Sequence, residues 1–109
     1  MEKKYWVVGT HSGDISPRYY NTEEARRRAA LDLDGDCDEI KRFESQEEAS
    51  EFLKTCKNEM RQFRSHGMLF YYATVYWMYE IIVDEYGEEN YGDWLESADW
   101  EEQEEESEE

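Results

Sequence analysis

Between Met68 and Tyr86 the chain reads MLFYYATVYWMYEIIVDEY, nineteen residues without a glycine or a proline. A run this long and this apolar has to be hidden on more than one side, and whatever it becomes will organise everything else. Its apolar core, residues 68–83, is shorter than the roughly 20 residues a membrane span needs. It holds Glu80 in its interior and scatters tyrosine throughout instead of at the rims. These features point away from a membrane. With no breaker inside it, the run is read as a long buried helix over 68–86 rather than a hairpin. That helix would cover a thin core built by the first half of the chain, or pair with its counterpart in a homodimer.

The first half supplies shorter elements. KYWVV is a compact aromatic and β-branched strand. Gly9, Gly13 and Pro17 punctuate the loop after it, and RYY (18–20) reads as a returning second strand. NTEEARRRAALDL follows as a helix, with Asn21 or Thr22 as cap and Glu23 and Glu24 at its positive end. EIKRF is a third strand, and Ser45 with Glu48 form a capping box, S-x-x-E, that opens a second helix. Behind it Ala49, Phe52, Leu53, Cys56, Met60 and Phe63 recur at helical spacing, with Gly67 as the stop. GEENYGDWLESADW reads as a linker and a short helix capped by Asp93, turning Trp94, Leu95 and Ala98 inward. The expected fold is therefore α+β: a small three-stranded antiparallel sheet with two helices in the order β-β-α-β-α, extended by the aromatic helix and an acidic tail. The expected divisions are 1–57, 58–100 and 101–109.

Charge is unevenly spread. Of the net −17, residues 1–57 contribute −3 and residues 58–109 contribute −14. Seven of the last nine residues are Glu, a block that buries too little apolar surface to offset its ordering entropy, so 101–109 is read as a solvated tail. Against that background, the adjacent cations Lys41 and Arg42 stand out. Two cysteines without paired spacing, Cys37 and Cys56, suit a reducing compartment, and MEKKYWVVGT is too short an apolar run for a secretion signal. The expected location is cytoplasmic, or the interior of a host cell.

Four segments carry a resemblance to a known family. YWVV (5–8), YYNTEEA (19–25), IKRF (40–43) and SQEEASEFL (45–53) together resemble the N-terminal hybrid-binding domain of ribonuclease H enzymes, also called the viroplasmin domain, over residues 4–54. That family grips RNA:DNA hybrid or double-stranded RNA. The resemblance implies that Lys41 and Arg42 meet phosphates, with Arg18, Tyr19 and Thr22 at the neighbouring nucleic-acid contacts. Thr22 stands where the family has a tryptophan, and the first loop, THSGDIS, lacks the family's cations.

Catalytic chemistry has little to stand on. Asp32, Asp34 and Asp36 alternate as in a calcium loop, but the places requiring Gly and Glu hold Cys37 and Phe43. The two histidines and two cysteines lack metal-ligand spacing. No nucleophile motif or phosphate-binding glycine loop occurs. No cofactor, no metal and no enzymatic activity are expected. Two functions remain. The first is an acidic interaction protein that engages a basic nucleic-acid-binding protein, as a nucleic-acid mimic of the kind phages use as inhibitors. Its contacts would be Glu101, Glu102, Glu104, Glu105, Glu106, Tyr76 and Trp77. The second is a hybrid or duplex-RNA binder using Lys41 and Arg42, with the acidic tail autoinhibitory.

Overall fold

The computed structural model describes residues 2–32 and 37–101. It is a mixed fold of two helices and one six-stranded sheet. In chain order the elements are β1 (Lys3–Ile15), α1 (Glu23–Leu31), β2 (Asp38–Phe43), α2 (Gln46–Leu53), β3 (Lys57–Ser65), β4 (Met68–Val83), β5 (Glu89–Ser97) and β6 (Asp99–Trp100). The expected three-stranded sheet and C-terminal helix are both overturned.

The run over 68–83 is a single long strand. Eleven of its sixteen residues are aromatic or β-branched, which suits a pleated, doubly packed surface better than a helix, where such side chains lose χ1 freedom. It reads as continuously apolar because from Ala73 to Val83 no side chain on either face is exposed, which removes the alternation that marks a half-buried strand. The turn before it settles its fate. His66 (φ 53°) and Gly67 (φ 78°) both lie in the left-handed region, as the two-residue turn of a tight hairpin requires. Ser65 and Met68 then face each other as its first rung. Gly67 is a hairpin residue, not a helix stop.

β4 is the axis of the molecule. β1 runs antiparallel along its whole length, from Ile15 opposite Tyr71 to Lys3 opposite Val83. On its other edge β3 pairs with the first half and β5 with the second. β2 extends the sheet beyond β1, and β6 adds a short parallel pair to β3. RYY, expected as a strand, is instead a turn and loop between β1 and α1.

The capping signals hold. Thr22 Oγ1 accepts from Ala25 N, and Ser45 Oγ accepts from Glu48 N. α2, however, ends at Leu53 instead of running to Phe63. Thr55 N and Thr55 Oγ1 both donate to Phe52 O, closing the helix with a tight turn. Met60 and Phe63, which matched the helical spacing, belong to β3 and project to opposite faces of the sheet.

Each helix covers half of one face. α2 lies over Val8 and Met78, where Ala49, Leu53 and Ala98 are also buried, ringed by Trp6, Phe43, Phe52, Cys56 and Tyr76. α1 lies on the opposite face at the other end, over Ile15, Ala73 and Val75. The two remaining half-faces have no helix. One carries Val7, Tyr79 and Ile81 beneath a cover of side chains; the other is the β3–β4 hairpin end. At the first of these Gly9 leaves room for the Tyr79 ring. A Cβ there would stand 3.0 Å from Tyr79 Cε1, 3.0 Å from Asp38 O and 3.1 Å from Cys37 Cβ. Gly9→Ala is expected to lower unfolding stability by about 1–3 kcal/mol, measured by urea denaturation.

Candidate interaction surface

The helix-free half-face over Val7, Tyr79 and Ile81 is tiled by aromatic rings. Tyr79 and Trp94 are 4.8 Å apart between centroids and tilted by 36°; Tyr79 and Tyr91 are 5.8 Å apart; Trp77 meets Trp94 edge-on at 5.8 Å. Strand register places them, with Trp94 opposite Tyr79 and Tyr91 opposite Ile81. Between those rungs β5 bulges, and the Glu80 side chain fills the bulge. Glu80 Oε1 accepts from Asp93 N at 3.2 Å, Oε2 pairs with Lys4 at 3.3 Å, and the close approach favours glycine at position 92, where a Cβ would lie 2.9 Å from Glu80 Cβ. Tyr79 is buried, and that burial pushes its phenol up to about 12, so it stays neutral. Tyr91 and Trp94 are 66% and 47% exposed, so their faces are open to a partner.

Arg42 borders this strip and is fully engaged. Its guanidinium donates to both oxygens of Glu39 (2.9 and 3.1 Å) and to both oxygens of Glu89 (2.8 and 3.1 Å). It also lies 5.1 Å from the centre of the Tyr5 ring. Two bidentate carboxylates saturate one guanidinium and leave the cluster with a net negative charge. The hydrogen bond from Arg42 holds the Glu89 carboxyl below its ordinary value, and the paired carboxylates raise Arg42 above its own.

Lys41, the other half of the basic step, projects to the opposite side of the sheet. There its ammonium sits 5.4 Å from the Phe43 ring and 5.7 Å from the Phe52 ring. A strand sends neighbouring side chains to opposite faces, so the structure does not bring Lys41 and Arg42 together. Arg18 and Tyr19 are exposed in the loop after β1, and Thr22 is spent capping α1. Arg27 and Arg28 form ion pairs with Glu23 and Glu24 one turn back, while Arg26 lies over the Tyr71 ring at 4.1 Å.

The expected protein-contact residues divide similarly. Tyr76 is on the α2 face, its backbone N–H donating to Asn58 Oδ1 and its carbonyl accepting from Ala98 N. Trp77 is on the other face and belongs to the aromatic strip. Glu101 extends β6, its N–H donating to Asn58 O. Glu102, Glu104, Glu105 and Glu106 lie outside the described residues, as do the expected tail beyond Glu101 and Asp34 and Asp36 of the aspartate loop.

Tyr91, Trp94, Glu39 and Glu89 went unrecognised as a surface. Their signal was the spacing of large aromatics in ENYGDW, expected as a linker and a short helix capped by Asp93 that turns Trp94, Leu95 and Ala98 inward; the stretch is instead the strand β5, with Trp94 and Leu95 exposed and only Ala98 buried. Residues 84–101 carry eight carboxylates and no Lys or Arg. Among the described residues no group of three or more His, Cys, Asp or Glu is placed to hold a metal ion, and no helix is long and apolar enough to cross a membrane. The chain matches no protein-family model, no curated protein and no solved structure.

Proposed function

We propose that this chain is a non-catalytic, acidic interaction protein that engages a basic, nucleic-acid-handling protein through β5 and its aromatic strip, in the manner of a nucleic-acid mimic. The observation that carries the reading is the exposed Tyr91–Trp94 pair beside the Arg42 cluster, on a segment whose formal charges are all negative. Aromatic faces attract guanidinium and ammonium groups, and neighbouring carboxylates add hydrogen bonds and long-range attraction. The same combination of flat rings and anionic oxygens is what a basic groove meets on a polynucleotide. Phosphate binding by this chain has less support, because Arg42 is already saturated and Lys41 faces the other way.

The test is competition. A basic DNA-binding protein loaded with a labelled duplex should release that duplex as this protein is added, less effectively as salt rises. Removing both rings (Tyr91→Ala with Trp94→Ala) should raise the concentration needed by about tenfold or more, close to 1.4 kcal/mol per factor of ten. An RNA:DNA hybrid that binds this protein directly, with no displacement of duplex from the basic protein, would overturn the reading.

A further inference from the structure

β1 is longer than the strand that covers it. β2 ends with Asp38 opposite Thr10, so among the described residues no strand pairs with the outer edge of β1 from His11 to Ile15. The β3–β4 hairpin fixes which groups face that edge. Ser65 and Met68 flank its two-residue turn and exchange both of their hydrogen bonds, which directs Tyr72 and Thr74 toward β3 and Tyr71, Ala73 and Val75 toward β1. The Val75 carbonyl agrees, accepting from Thr10 Oγ1 at 2.9 Å. The partners of these three on β1 are Ile15, Gly13 and His11, so the backbone N–H and C=O groups of Ser12 and Asp14 point to the open edge. An unpaired edge of this kind is a template for another strand.

α1 runs beside this edge. Ala25, Arg28, Ala29 and the cap residue Asp32 form one stripe of the helix, which faces Asp14 and Ile15 across a groove of about 490 Å³. That is the size of a ligand site, and a strand edge beside a groove is where extended peptides bind as added strands. Register defines the occupant. On an antiparallel strand added here, the residue opposite Asp14 shares Asp14's face of the sheet, where that carboxylate is exposed and joined to no cation among the described residues. A Lys or Arg suits that rung. The next residue along points to the other face, toward Ala25, Ala29 and Ile15, and suits a compact apolar side chain. Arg28 does not oppose the cation, because Glu24 accepts from its guanidinium at 3.2 Å, and Asp32 adds a carboxylate at the C-terminal end of the stripe. We propose that the free edge of β1 and the α1 stripe form a receptor for an extended basic peptide, which adds as a strand in line with β2. The site lies across β4 from β5 and does not depend on the β5 face being a receptor.

Fluorescence anisotropy of a labelled probe tests it, the probe being a short peptide of alternating Lys and Val with both ends blocked. The full chain should bind it, less tightly as salt rises. Asp14→Lys reverses the charge at its rung, and Ser12→Pro removes an outward N–H; each should weaken binding by about tenfold or more. Circular dichroism and urea denaturation should find both variants folded, since neither backbone N–H bonds to β4. The same peptide N-methylated at its lysines keeps its charge but loses the donors meant for the Ser12 and Asp14 carbonyls, so it should bind about tenfold more weakly or worse. Tyr91→Ala with Trp94→Ala should leave binding unchanged. Equal binding of the methylated peptide would mean attraction by net charge alone, and unchanged affinity of either edge variant would move the site elsewhere; each overturns the inference. So does a probe that fails to bind, whether the edge stays empty or a dimer sensitive to Ser12→Pro occupies it. Loss of binding with the two rings would assign the peptide to β5 and overturn the groove alone; failure of duplex displacement with peptide binding retained overturns only the β5 reading.

Discussion

Asn58→Asp is expected to destabilise the protein by about 3–5 kcal/mol at neutral pH, and to recover much of that loss on acidification. Asn58 is fully buried, and its amide does two jobs: Nδ2 donates to Ala98 O at 2.8 Å and Oδ1 accepts from Tyr76 N at 2.8 Å. It thereby fastens the segment between β5 and β6 to the central strand. An aspartate keeps the acceptor for Tyr76 but turns a second anionic oxygen toward the Ala98 carbonyl, inside the protein and without a cation. Burial raises the folded-state pKa of such a carboxyl above its unfolded value of about 3.9. Below that value both states are protonated, and the neutral acid can donate to Ala98 O much as the amide does. The penalty therefore begins as pH rises past the unfolded pKa, grows by about 1.4 kcal/mol per unit, and levels off beyond the raised folded pKa. Urea denaturation across this range measures it. Equal midpoints in acid and at neutrality would show that Asn58 does not sit where the structure puts it.

The second large effect belongs to Leu53. It is the last residue of α2 and a fully buried member of the cluster with Val8, Ala49, Met78 and Ala98. Leu53→Ala removes three carbons from a site that a rigid sheet cannot close, which costs about 2–5 kcal/mol. α2 is eight residues long, too short to be helical by propensity alone, so its docking depends on this contact. Leu53→Met, which keeps the volume, should cost less than about 1.5 kcal/mol. Thermal and urea unfolding of both variants would check the pair. A Leu53→Ala protein as stable as wild type would mean that α2 does not pack on Val8 and Met78.

What was legible in the chain was local. Thr22 and Ser45 announced two helix starts correctly because a cap satisfies backbone donors a few residues away and needs no distant partner. The strands at KYWVV and EIKRF were equally plain. The failures came where distant packing decided the outcome. Met60 and Phe63 matched a helix by spacing, yet Thr55 closes α2 at Phe52 and the Asn58 side chain is used on the facing strand. Met68–Val83 lost its alternating signature because from Ala73 onward each face meets a different cover: α1 on one side, α2 on the other, and aromatic side chains over Tyr79 and Ile81. The aromatic strip was hidden for a related reason, since Trp94 and Tyr91 acquire their neighbour Tyr79 only through β4–β5 pairing. The basic step at Lys41 and Arg42 was conspicuous, but the carboxylate that completes the Arg42 cluster comes from Glu89, far along the chain.

The long pairing of β1 with β4 has a consequence for biosynthesis. Every rung between them joins residues 3–15 to residues 71–83, so while β4 is still unmade Val7, Val8 and Ile15 sit on a strand that lacks its principal partner. Closing so large a loop before its contacts can form makes for slow folding. Until β4 is made, β1 has only β2 and the two helices beside it, and holdases that bind short hydrophobic strands compete with β4 for its free edge.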